Sequence, residues 1–349
     1  MANTDGGSIY VGVSDGGAPV GLPIAELGRV NQHLSNAASN HVRSPVAVTS
    51  ANVAVGEGRV VVVVTVPKGL DKPYFDKDGI IWLKVGADKR RVNSKEELRR
   101  IFALTAQFHA DEVPAQATVA EVDRLRLRAF LREGFQQDLP EPEDALVQLL
   151  HNLNLASATG VLNLAGLLLF GLNPQRTVPQ FCVKAVSFAG GHIGSLQYGD
   201  SADLVGPLRQ VYDDAMAFVM RNMRRVQDSQ SVNSVGVPEI APIVFEELLV
   251  NALIHRDYLV SAPIRVLVFD DRVEIISPGN LPNNLTVANV IAGNTNIRNP
   301  ILASMAAKGV LPYRGLGSGI ARVLAAWPRV TFFDDRDGGV FRVVVGRLG

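Results

Sequence analysis

Cysteine is almost absent from this chain of 349 residues: Cys182 stands alone. A single thiol excludes an intramolecular disulfide and any multi-cysteine zinc site. It also predicts a cytoplasmic setting. Net charge is missing as well, because 34 basic and 34 acidic residues cancel. No global field draws such a protein onto nucleic acid or an anionic membrane, so any such binding must come from a local patch. Long apolar runs are lacking too. Residues 60–64 and 164–170 are the longest, far short of the ~20 that a membrane span needs, so no membrane partner is expected. The opening MANTDGGS has neither a basic nor an apolar leader region, and no signal peptide is expected.

What remains describes a folded chain. Apolar residues make up 47 % and charged residues 19 %, a balance that opposes disorder. The 32 glycines and 19 prolines follow no collagen-like period. At roughly 150 residues per domain, the length predicts two or three.

The first hundred residues read as α/β. Strands are expected at 8–13, 59–66 and 80–85, the second an almost unbroken valine run suited to burial on both faces. Asp78-Gly79 reads as a hairpin turn. Helical spacing covers 22–39, and Ser94 with Glu97 forms a capping box that opens a helix over 95–106. Residues 107–118 read as a linker. Helices follow at 119–136, 143–154 and 164–170, then a strand at 180–188 and a long helix over 204–225. Cys182 falls in that strand as a small core residue. The polar stretch 227–236 marks the next boundary. Beyond it come a helix over 238–258 and strands at 264–269 and 273–276, joined at Asp270-Asp271. A helical stretch at 299–308, a helix at 320–326 and closing strands at 330–333 and 339–345 complete the chain.

Two constellations carry chemistry. Glu247, Asn251 and His255 lie at i, i+4 and i+8, so a helix aligns them on one face. Asn251 offers an amide oxygen to a hard cation such as Mg²⁺. Glu247 offers a base for an attacking water. A solvated polar face is the plainer alternative. Gly315, Gly317 and Gly319 run into a helix start, which presents free N–H groups to phosphate. A flexible turn is the plainer alternative there, and no Walker motif follows. Ser277-Pro278-Gly279 lies between the two, directly after a strand.

Taken in that order, the segments FEELLVNALIHRDY, SPGNLP, IRNPILA and RGLGSGI resemble the divergent ATPase-like domain of bacterial ATP-binding regulators. That domain is a variant of the GHKL fold of gyrase, histidine kinases and MutL. The opening ANTDGGSIYVGVSDGG and the later PYFDKDGIIWLKVGADKRR resemble the Schlafen-type AlbA-like DNA-binding domain that precedes it. The middle run LAGLLLFGLNPQR is typical of the same family. The resemblance implies an α/β (α+β) protein in three parts. These are an AlbA-like domain over 1–105, a connecting α/β region over 106–230 and a GHKL-like two-layer α/β sandwich over 231–349.

The resemblance also implies roles. Glu247 would be the water-activating acid and Asn251 the holder of Mg²⁺ against ATP. Gly315, Gly317 and Gly319 would form the phosphate loop, with 284–315 as the lid. Ser277 and Gly279 would line the adenine end. His255 would be a further cofactor-binding residue, and His255 and Asp257 both match the family run without a defined chemical role. Ser277 departs from the family's Asp-x-Gly turn: a neutral hydroxyl stands where a carboxylate meets the adenine amine, a loss of about 1–2 kcal/mol.

In the first domain, Lys84, Lys89, Arg90 and Arg91 begin a basic patch able to neutralise phosphates without reading sequence. A solvated, salt-bridged helix face is the alternative. Few aromatics accompany the patch, which disfavours single-strand stacking. The chain opens at the family's ANTDGG turn, so a first domain that is truncated or has a misassigned start is expected, with no room for a winged-helix tail. The expected function is an ATP-binding transcriptional regulator that contacts DNA, with a homodimer as a further possible partner. Two other readings are a Schlafen-like metal-dependent nuclease using Asp5 and a degenerate interaction module without turnover.

Overall fold

The structure, a computed structural model, describes residues 1–43, 45–56, 58–69, 72–86, 88–103, 109–194, 198–227, 236–282, 285–315 and 317–348. The expected helix end at 104–106, most of the loop at 227–236 and Asn284 of the expected lid lie outside the described residues. The chain forms two compact units, 1–108 and 109–349.

In the first unit the valine run is the strand Arg59–Val66, antiparallel to Gly7–Val11, Leu22–Pro23 and Thr49–Gly56. Val60, Val61, Val62 and Val64 are buried. A hairpin of Trp82–Val85 and Asp88–Arg91 and the helix Lys95–Ala103 close over Ile81, Val92 and Ile101. The Ser94 hydroxyl accepts from the Glu97 N–H, one half of the expected capping box, while the Glu97 carboxylate pairs with Arg90. Two details differ from expectation. The segment from 22 is first a short strand and a 3₁₀ turn, and the helix proper is Leu27–Asn40. Strands Thr49–Gly56 and Asp88–Arg91 were not expected, because one lacks large apolar residues and the other is DKRR. Both are held by cross-strand pairing and not by a hydrophobic pattern.

The second unit is built on one six-stranded mixed sheet. Its strands are β1 (Val183–Phe188), β2 (Tyr198–Leu204), β3 (Ile264–Val268), β4 (Arg272–Pro278), β5 (Val330–Asp335) and β6 (Val340–Gly346), in the order β2-β1-β3-β4-β6-β5. Only the β1–β3 pair is parallel. The β3–β4 turn falls at Asp270-Asp271 as expected, with the Phe269 N–H donating to Arg272 O at 2.8 Å. Strands from both the 106–230 and the 231–349 segments share this sheet; one large apolar core runs from Ala110 to Val345, and a smaller cluster holds Leu267, Phe269 and Ile276. The long helix expected over 204–225 is instead β2 followed by α1 (Leu208–Arg221), because Gly206-Pro207 interrupts it. Cys182 is buried immediately before β1.

Helix α2 (Pro242–His255) starts on proline at its first turn and is shorter than the span 238–258. It is buried nearly all round, since it packs against β4, α1 and the helix α4 (Gly319–Ala326). Its end is locked by the residues that follow. The Arg256 guanidinium donates to Val260 O and Ala262 O and lies over the rings of Phe181 and Tyr258. The Tyr258 hydroxyl donates to Leu253 O at 2.9 Å.

A second lock comes from far along the chain. Asn299, fully buried, donates through Nδ2 to Ile254 O and Arg256 O at 2.8 and 2.9 Å, satisfying carbonyls at the end of α2. Helix α3 (Pro300–Met305) follows at once. The Asp111 carboxylate accepts from the Ile301 and Leu302 N–H groups at 2.8 and 2.9 Å. Burial pushes the Asp111 carboxyl up to about 6, although both N–H bonds and nearby His109 pull the other way. A raised acid pKa favours the protonated folded form. Its stabilising contribution is therefore complete below about pH 4 and lost as pH rises through about 6. The melting-temperature difference between wild type and Asp111→Asn should accordingly shift against the wild type between pH 4 and pH 6.5. A constant difference across that range, measured by circular dichroism, would exclude this carboxyl as the source.

Candidate functional site

Between α2, β4 and the glycine turn before α4 lies a cleft enclosing about 1090 Å³ of empty space, part of it open to solvent. Glu247, Asn251 and His255 all line it, as one helical face allows. So do Ser277, Gly279, Gly315, Gly317 and Gly319. Every site residue expected in the second unit therefore meets in this one cleft. Leu316, inside the glycine turn, lies outside the described residues.

The Asn251 carboxamide has no hydrogen-bond partner among the described residues, and the Gly319 side-chain position would lie 3.7 Å from its Nδ2. Glu247 is differently placed. Its Oε1 accepts from Arg322 Nε at 2.9 Å and also from Arg322 Nη2. Arg322 Nη1 donates to Ser318 Oγ at 2.7 Å. The other carboxylate oxygen, Oε2, faces Gly319, where an added Cβ would sit 2.4 Å away. Glycine at 319 thus gives the acid room. Gly317 has φ +70°, and an added Cβ there would meet Gly293 O at 2.4 Å. The turn is thereby packed on the segment expected as a lid. Within that segment Thr286 caps the short helix Val287–Ile291, and Asn294, Thr295 and Asn296 line the cleft.

At the other end, Ser277 is buried and its hydroxyl donates to Ala252 O at 3.3 Å. Its lone pairs remain able to accept a bond. Asp270 and Asp271 do not line the cleft; the Asp270 carboxylate accepts from the Gly190 N–H. Gly279 has φ +95° and lies against Asp257, whose N–H donates to Pro278 O at 2.8 Å. Arg298 donates to Asn280 O at 2.7 Å and to His255 O at 3.4 Å. Burial, reinforced by the Arg298 charge, pushes the His255 imidazole down to about 4. The ring is therefore neutral at pH 7, with Nε2 3.2 Å from the Tyr313 hydroxyl. Asp257 is thus bonded into the turn at the helix end, and His255 lines the cleft as a neutral ring.

Sequence reasoning missed Asn280, Tyr313 and Arg322. Asn280 contributes a buried Oδ1 without a partner among the described residues. Arg322 stands at i+4 from Ser318, but its pairing with Glu247 spans 75 positions and leaves no local signal.

In the first unit, the register Trp82↔Arg91 and Lys84↔Lys89 places these four residues on one face of the hairpin. Lys89 Nζ lies 5.0 Å from the Trp82 ring centroid. Arg90 points to the other face and pairs with Glu97. Asp5 is exposed and pairs with Lys68 at 2.9 Å. Among the described residues no group of three or more His, Cys, Asp or Glu could hold a metal ion, and no helix is long and apolar enough to cross a membrane.

Comparison with known proteins agrees with this division. Residues 1–93 match the family described as "Schlafen, AlbA_2". Residues 261–336 match the HATPase_c_4 family, described as "Putative ATP-dependent DNA helicase recG C-terminal". The two-domain resemblance is thus shown. The two families suggest nucleotide binding and contact with nucleic acid. The second match begins after α2, so Glu247, Asn251 and His255 rest on geometry alone. No curated protein matches. The crystal structure of the DIP2311 protein from Corynebacterium diphtheriae is similar in fold, with a TM-score of 0.51 and 24 % identity over 99 % of this chain and 68 % of that one.

The glycine contacts give a direct test. Gly317→Ala should destabilise the second unit by about 1–3 kcal/mol, through backbone overlap and positive φ together. Gly315→Ala, whose nearest neighbour is a Tyr313 ring carbon at 3.5 Å, should cost about 1 kcal/mol. Denaturant melts that rank the two in the reverse order would contradict this packing.

Proposed function

We infer that the protein is an ATP-binding regulator. Its second unit takes Mg·ATP in the α2–α4 cleft, and its first unit contacts DNA through the Trp82–Arg91 hairpin. The observation that carries this is the meeting of Asn251 and the 315–319 glycine turn in one cleft. The residues fit such a ligand. The unpartnered Asn251 carboxamide suits a hard cation, and a tight glycine backbone followed by a helix start suits phosphate. The apolar wall of Leu248, Ile275, Phe332 and Phe341 suits a base. The orphaned Asn280 Oδ1 and the Ser277 hydroxyl offer neutral acceptors at that end. When bound, ATP supplies a phosphoanhydride bond open to water attack. In this chain Glu247 is the residue placed to activate that water, but its carboxylate is held by Arg322. That pairing favours binding with slow turnover, so the nucleotide acts mainly as a signal. Binding then shifts the conformational equilibrium only through its preference for one state.

In the first unit, Lys84 and Lys89 stand directly opposite each other. Cations on one face of a hairpin suit a phosphate backbone. No observation favours the nuclease reading over this one.

Saturating Mg·ATP should raise the melting temperature of the wild type by several degrees and leave Asn251→Ala unmoved. An equal rise in both would displace the site from Asn251. In the first unit, Lys84→Ala with Lys89→Ala should weaken duplex DNA binding and flatten its salt dependence by about two counterions. Arg90→Ala should leave that slope nearly unchanged. Filter-binding titrations between low and moderate salt would decide, and a dominant Arg90 effect would refute the assignment of faces.

A further inference from the structure

The Glu247–Arg322 pair has an unusual form. Both guanidinium contacts to the acid fall on one oxygen, Oε1, while Oε2 is turned to Gly319. The bidentate arrangement that gives such pairs most of their strength would place one N–H on each oxygen. The partners are also unequally exposed: the Arg322 side chain is 42 % accessible, the Glu247 side chain 11 %. The cation therefore sits on the open side of the pair, at the mouth of the cleft, beside the glycine turn and hydrogen-bonded to Ser318. A buried carboxylate without its cation would repel any anion entering the cleft. As the pair stands, the anion meets a guanidinium.

We propose that Arg322 is an exchangeable ligand for the terminal phosphate of a triphosphate: it neutralises Glu247 in the empty cleft and transfers to the phosphate on binding, which frees the carboxylate. The proposal rests on the nucleotide reading above and deepens it. It makes Arg322 a positioning residue for Glu247 and a specificity residue for phosphate number. The exchange breaks and forms hydrogen bonds only. Arg314, exposed on the same rim, is the one other cation among the described residues lining the cleft, and it has no partner on α2 to exchange with.

The experiment is calorimetric titration of the full chain, in Mg²⁺, with ATP, ADP, AMP and inorganic tripolyphosphate. Wild type should prefer ATP over ADP and bind tripolyphosphate. Arg322→Ala should lose about ten- to hundredfold for ATP and tripolyphosphate and little for AMP. Arg322→Lys should recover part of that loss. Glu247→Gln should bind ATP more tightly than wild type, because the cation is no longer held. The double variant Glu247→Gln with Arg322→Ala removes the orphaned carboxylate, so it guards against loss of fold, and it should show the same loss of ATP preference. Equal losses for ATP, ADP and AMP in Arg322→Ala, or weaker ATP binding by Glu247→Gln, would make Arg322 merely structural and overturn the proposal. ATP binding undiminished in Arg322→Ala sinks the proposal and leaves the nucleotide reading intact. Arg322-dependent tripolyphosphate binding that the nucleoside does not improve sinks the nucleotide reading and leaves the phosphate role of Arg322. Wild type that binds neither ligand overturns both.

Discussion

The end of helix α2 is the point on which the second unit turns. A helix buried on nearly every side leaves its last carbonyl groups without water, and each needs a partner. Asn299 supplies two bonds from far along the chain, Tyr258 one from the adjoining turn, and the Asp257 N–H ties the same turn to the end of β4. These bonds fix the angle at which α2 crosses the sheet. They thereby fix where the face bearing Glu247, Asn251 and His255 points. Asp111 extends the arrangement by capping α3, so the residue that closes α2 and the one that opens the next helix share a single buried knot.

The site was more legible in the sequence than the fold around it. Three polar residues at helical spacing need only a helix to share a face, and glycines at alternate positions need only a turn. Local rules therefore brought Glu247, Asn251 and the glycines at 315, 317 and 319 to one cleft. Arg322 was lost because its meaning lies in a contact across 75 positions. Asn280 and Asn299 were lost for the same reason: an amide reads alike in a loop and in a buried knot. Among the strands, Tyr198–Leu204 (YGDSADL) has no apolar run, and only its pairing with β1 makes it a strand. The spacing over 204–225 predicts one long helix because the residues of α1 keep helical spacing, but Gly206-Pro207 starts that helix only at Leu208.

The connecting region shows how a segment can lack a character of its own. Its helix Leu164–Phe170 is apolar all round, which no independent surface helix could afford, and every one of its residues is buried. Asn163 caps it by accepting from the Gly166 N–H, and Gly166 admits Leu155 O at a distance no side chain would permit. Such a helix requires a core supplied by others, and the shared sheet provides it.

The contact between Gly319 and the Glu247 carboxylate has a consequence for substitution. The two positions compete for one small volume. A methyl group at 319 would push the end of the Glu247 side chain away from its present place beside Arg322, and a shorter acid at 247 would relieve the overlap. A side chain at 319 would therefore be felt first at the Glu247–Arg322 pair, whose geometry depends on the space the glycine leaves.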